Sequence, residues 1–133
     1  MSTDAEISEL DQSTCTTAAD FTRRYYEHFD KQRKNVSSVY SPSACMVWNG
    51  HGVEGKAAIA QFIEVLPHTE HRIKCLDAQS VPEQSTDGRK AILVHAAGTV
   101  KFQSKLHSFV QTFLLTVEED KWRIAMDRFR HVT

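Results

Sequence analysis

The chain has 133 residues, 41% hydrophobic and 25% charged, with a formal net charge of -1. That length makes one domain long enough to bury a core. The balanced charge excludes the global field that draws nucleic acid or an anionic membrane surface.

No apolar run approaches the roughly 18 residues of a membrane span. The polar, acidic start MSTDAEISELDQ reads as neither a secretory signal nor a transit peptide. Cys15, Cys45 and Cys75 lack CxxC spacing and read as reduced thiols in a cytosolic or nuclear protein.

In chain order, residues 1–13 read as a frayed lead-in. Thr17 and Asp20 fit a capping-box spacing, and FTRRYYEHFDKQRK places Ala18, Phe21, Tyr25 and Phe29 on one face. This predicts a helix over about 15–32. A shorter helix over about 34–40 carries Val36, Val39 and Tyr40 and is broken by Ser41-Pro42. Cys45 to Trp48 is a short strand that meets a turn at Asn49-Gly50, where both residue types tolerate positive φ. A turn-like patch at Gly52 and Gly55 follows. Ile59, Phe62, Ile63 and Leu66 then recur at i, i+3, i+4 and i+7, which predicts an amphipathic helix ended by Pro67.

After Pro67 the period changes to two. Strands are expected over about 71–81, 90–102, 107–117 and 122–130, joined by short polar turns. In the second of these, Ile92, Val94, Ala96, Gly98, Val100 and Phe102 form a wholly apolar set, so they face a core. Strands linked by short turns make an antiparallel sheet, and helices pack on one of its faces: an α+β domain over 1–133. The other face carries His95, Thr99, Val110, Thr112 and Leu114. It is too apolar for plain solvent surface and too polar for core, which points to a dimer through that face.

Catalytic and metal motifs are weak. His68 and His71, spaced i, i+3, follow Pro67 and read as solvated loop histidines. Lys31, Arg33 and Lys34 read as a solvated basic face. Asp77, Asp127, Tyr25, Tyr26 and His95 are the polar groups that a cavity enzyme would use, with Arg123 and Arg128 as structural partners for Asp127. Such an isomerase or dehydratase needs an open pocket that holds Asp127 or Asp77 beside Tyr25 or Tyr26. Arg130 reads as an interface ion-pair donor, because its planar fork binds carboxylates bidentately.

Gly55-Lys56-Ala57-Ala58-Ile59 with Leu66-Pro67, Leu76-Asp77-Ala78-Gln79, Gln111 to Leu115, Trp122 and Asp127-Arg128-Phe129-Arg130 together resemble the nuclear transport factor 2 superfamily, from about Phe21 to Arg130. The resemblance implies a cone of three helices packed on a strongly bent antiparallel sheet that dimerises through the sheet. Val47 to Gly50, Tyr25-Tyr26, Asp30-Lys31 with Arg33, and Gly98 to Phe102 are similar to the branch of export proteins rather than to the Ran-GDP carrier. The carrier has acidic residues in the hairpin that here reads Lys101-Phe102-Gln103-Ser104-Lys105.

The export branch implies a heterodimer with a TAP-type mRNA export receptor and support of its contacts with FG nucleoporins. It also implies shuttling between nucleus and cytoplasm, with no catalysis, cofactor, metal, membrane or sequence-specific nucleic-acid role. Interface roles carry over to Gln111, Phe113, Asp127 and Arg130, beside His95 and Thr112 from the alternation.

Overall fold

The computed structural model describes residues 4–132, with side chains from Gln12 onward. Its longest helix, α1, spans Asp4–Lys31. It begins well before the expected start, so most of the supposed lead-in is helical; residues 1–3 of that lead-in lie outside the described residues. Ala18, Thr22, Tyr25, Tyr26 and Phe29 are its buried stripe, at i, i+4, i+7, i+8 and i+11. A 3-10 helix, Arg33–Val39, follows and buries Val36.

Strand β1, Tyr40–Trp48, is longer than the short strand expected, because Pro42 sits within it rather than before it. Asn49 and Gly50 both take positive φ (48° and 85°) and close a two-residue hairpin to β2, His51–Glu54. Gly52 is therefore a strand residue. Gly55, at φ 88°, starts helix α2, Lys56–Glu64, which buries Ile59 and Ile63 with Phe62 and Leu66 packed alongside.

The four long strands stand where the period-two pattern puts them: β3 Thr69–Val81, β4 Ala91–Phe102, β5 Lys105–Glu118 and β6 Lys121–Val132. The sheet order is β2-β1-β6-β5-β4-β3. The sheet is mixed rather than wholly antiparallel, because β1 pairs parallel to β6. Hairpin turns force β3 to β6 to alternate in direction, but β1 reaches β6 only through the rest of the chain and is free of that constraint.

The core lies between the helices and the inner sheet face. Trp48 stacks on Phe129 (centroids 4.0 Å apart) and on Phe29 (6.1 Å), which ties β1, β6 and α1 together. β-Bulges between Ile73 and Cys75 and between Leu114 and Leu115 interrupt the ladders, and bulges of this kind bend a sheet. At the first, the carbonyl of Arg72 lies so close to Gly98 that an added Cβ would sit 1.9 Å from its oxygen. No residue but glycine fits there. Arg33, expected on a solvated basic face, is built in: it donates from Nε to the Phe29 carbonyl (3.1 Å) and from Nη2 to Thr69 Oγ1 (3.1 Å), and also bonds the Leu66 carbonyl.

Candidate functional site

The register of β3 to β6 arranges the outer face in rows. One runs Asp77, His95, Thr112, Arg128; the next runs Cys75, Ala97, Val110, Arg130; a third runs Gln79, Leu93, Leu114, Met126. Val47 and Cys45 on β1 extend the first and third rows. Val110 is 45% exposed and Met126 38%, an apolar centre open to solvent. His95 Nδ1 lies 3.1 Å from Thr112 Oγ1, a cross-strand contact within this face. His95, Arg128, Arg130 and Lys101 surround the apolar centre, and among the described residues the outward positions 93–101, 106–114 and 126–132 hold no carboxylate.

Three of the six residues expected at the interface lie here: Arg130, His95 and Thr112. The other three do not. Gln111, Phe113 and Asp127 are buried on the inner face. Strand alternation is the reason: Gln111 and Phe113 flank outward Thr112, and Asp127 precedes outward Arg128. The same alternation removes Arg128 as a partner for Asp127, since the two point to opposite faces. Arg128 and Met126 are outer-face residues that the sequence reading missed. The signal was available in the strict alternation of Met126 to Arg130.

Asp127 sits instead in a buried polar network. Tyr40 donates to Asp127 Oδ2 at 2.6 Å, Gln111 Nε2 donates to Oδ1 at 2.8 Å, and Tyr25 donates to Oδ2 at 3.4 Å. Tyr25 and Tyr40 hydroxyls lie 2.8 Å apart, and Tyr26 donates to Gln111 Oε1 at 2.6 Å. Burial pushes the Asp127 carboxyl up to about 6, against the opposing pull of the bonds from Gln111, Tyr40 and Tyr25. Burial and the nearby Asp127 carboxylate raise all three tyrosines well above the ordinary phenol value. This cluster ties α1 and β1 to β5 and β6. Asp127 is 0% exposed, and Asp77 points outward on β3, so neither carboxylate meets Tyr25 or Tyr26 in an open pocket.

A second cluster corrects the reading of His71. This side chain is buried rather than solvated. Asp30 accepts bonds from His71 Nδ1 (2.7 Å), the His71 backbone N–H (2.8 Å) and Thr69 Oγ1 (2.8 Å). Burial raises the Asp30 carboxyl, but the His71 hydrogen bonds, the His71 charge and Thr69 outweigh it and hold it below its ordinary value. His68 is exposed, as expected.

The α+β fold has one helix-covered sheet face and one open, half-apolar face of the kind that docks another sheet. Residues 17–131 match the nuclear transport factor 2 (NTF2) domain, and the chain belongs to that family. It is 38% identical over 135 residues to NTF2-related export protein 2 of Homo sapiens, covering 98% of this chain and 95% of that one. It is also 38% identical over 135 residues to the NTF2-related export protein of Caenorhabditis elegans, covering 99% and 98%. Among solved structures, the Candida albicans Mtr2-Mex67 M domain complex shares the fold, with a TM-score of 0.73 at 12% identity over 90% of this chain and 96% of that one.

Proposed function

We propose that this protein is a non-enzymatic subunit that pairs through its outer sheet face with a TAP-type receptor and supports nuclear export of mRNA, shuttling between nucleus and cytoplasm. The observation that carries the reading is the carboxylate-free centre of the outer face, formed by the outward positions 93–101 of β4, 106–114 of β5 and 126–132 of β6. A second copy of this chain would bring Arg128 and Arg130 against an equally cationic centre, and like charges across an interface are costly. A different chain that offers carboxylates there is complementary. The export proteins among the relatives and the Mtr2-Mex67 complex of the same fold support this choice. Contacts with FG nucleoporins are made by the complex in this reading.

Co-expression with a TAP-type receptor domain tests it. The expected result is a 1:1 complex by mass measurement in solution at about micromolar concentration; two proteins that elute separately there would end the proposal. Arg130→Ala should weaken the complex by about 2 kcal/mol, since it removes one partner of a buried ion pair.

The runner-up is a homodimeric Ran-GDP carrier. The hairpin at Gln103-Ser104, flanked by exposed Lys101 and Lys105, offers Ran's basic groups no acid. Direct binding of Ran-GDP to the chain would favour that reading over ours.

A further inference from the structure

A window stands open between α1 and β3. It is pinned at one end by Asp30 on Thr69 and His71 (2.7–2.8 Å). At the other end Thr14 Oγ1 meets Ser80 Oγ at 2.8 Å. Between the pins, Ile73 and Leu76 face the helix yet remain 37% and 36% exposed. The groove they line with Ala19, Thr22 and Tyr26 has a volume of about 420 Å³. At its base Thr22 is 2% exposed, and its hydroxyl has no hydrogen-bond partner among the described residues. A buried hydroxyl left unpaired carries a desolvation cost, so the site favours a ligand that brings a polar group to it.

Beside the window runs the outer edge of β3. This strand ends the sheet order, and among the described residues nothing pairs with its far side. Its backbone N–H and C=O groups on that side can template another strand. The formal charges that line the groove cancel: Arg23 pairs with Glu27 at 3.7 Å, and Asp30 and Lys31 carry opposite charges. It therefore favours an uncharged segment over an acidic or basic one.

From these observations we infer that the window between α1 and β3 is a second docking site, taking an uncharged extended peptide that pairs with the β3 edge and seats large apolar side chains between Ile73, Leu76 and Tyr26. A strand added to this edge turns alternate side chains toward α1. Two apolar residues separated by one polar residue match the helix-facing pair Ile73 and Leu76, which the bulge at Lys74 brings onto the same side. A backbone or threonine group of the same segment meets the Thr22 hydroxyl. The site opens on the helix side of the sheet edge, so it does not compete with the outer face.

The test uses the full chain and a fluorescein-labelled peptide Ser-Thr-Leu-Thr-Leu-Thr-Ser. The expected result is saturable anisotropy below about 100 micromolar, with amide NMR shifts confined to β3 and the facing half of α1. A double Ile73→Glu, Leu76→Glu variant, folded by circular dichroism, should bind about tenfold more weakly, and Thr22→Val about threefold. Backbone N-methylation of the peptide should abolish binding. Absence of saturation, shifts centred on Val110 and Met126, or equal binding of the N-methylated peptide would each overturn the inference. So would N-acetyl-leucine amide binding as tightly as the peptide.

Discussion

Tyr40 on β1 donates its hydroxyl to the Asp127 carboxylate of β6 at 2.6 Å, joining strands 87 residues apart in sequence. The bond sits inside the only parallel strand pair among the described residues. It lies directly behind the outward Arg128 and Met126, so this network sets the position of the outer face.

The same network predicts an unusual pH dependence. The folded-state value of Asp127 is raised from 3.8 to about 6. A raised native value means the folded chain binds the proton more tightly than the unfolded one. The carboxyl therefore costs nothing below about pH 4, and its penalty builds up between about pH 4 and 6. Above that range the ionised group costs roughly 3 kcal/mol. Asp127→Asn removes the titration. Urea unfolding of both proteins from acid to neutral pH should show wild type losing stability relative to the variant across that window and running parallel above it.

Asp30 has the opposite sign. Its folded value is lowered, so its stabilisation is present above the ordinary 3.8 and is lost as pH falls through the folded value. Asp30→Asn turns an acceptor into a donor facing His71 and should cost about 2 kcal/mol at neutral pH. The difference from wild type should shrink on acidification, read from urea midpoints.

Gly98→Ala should be severe for a small change. Its Cβ would stand 1.9 Å from the Arg72 carbonyl oxygen, and backbone cannot swing away as a side chain can. We expect a loss of about 3 kcal/mol or more, measured by chemical unfolding, as for other overpacked sites.

The β4–β5 turn offers the reverse. Gln103 and Ser104 both hold positive φ (51° and 65°) in a two-residue turn that favours Asn-Gly. Gln103→Asn with Ser104→Gly should raise stability by about 1 kcal/mol, seen as a higher melting temperature.

Val110→Lys separates folding from docking. The side chain is 45% exposed and opposite Arg130, so the monomer should lose less than about 1 kcal/mol. A cation in the apolar centre should weaken the receptor complex on the order of a hundredfold by calorimetric titration.

Much of the scaffold was legible in residue order. The four long strands, the Asn49-Gly50 hairpin and the stripe of α2 are local patterns, and local sterics enforce them. The inward set of β4 from Ile92 to Phe102 was also readable, because alternation is a property of one strand. Asp127 was misplaced despite an equally plain alternation in β6, because a carboxylate among arginines suggests an ion pair until its face is worked out.

Sequence alone determined the class of domain, the apolar stripes, the turns and a half-apolar second sheet face, because each depends on neighbours within a few residues. Only the tertiary structure decided that β1 lies parallel to β6, that Asp127 is held by Tyr40, Tyr25 and Gln111, and that His71 is buried against Asp30. It also decided that α1 leaves a window over β3. Those facts depend on contacts between residues tens of positions apart, where packing and the satisfaction of buried polar groups, not local propensity, choose the partner.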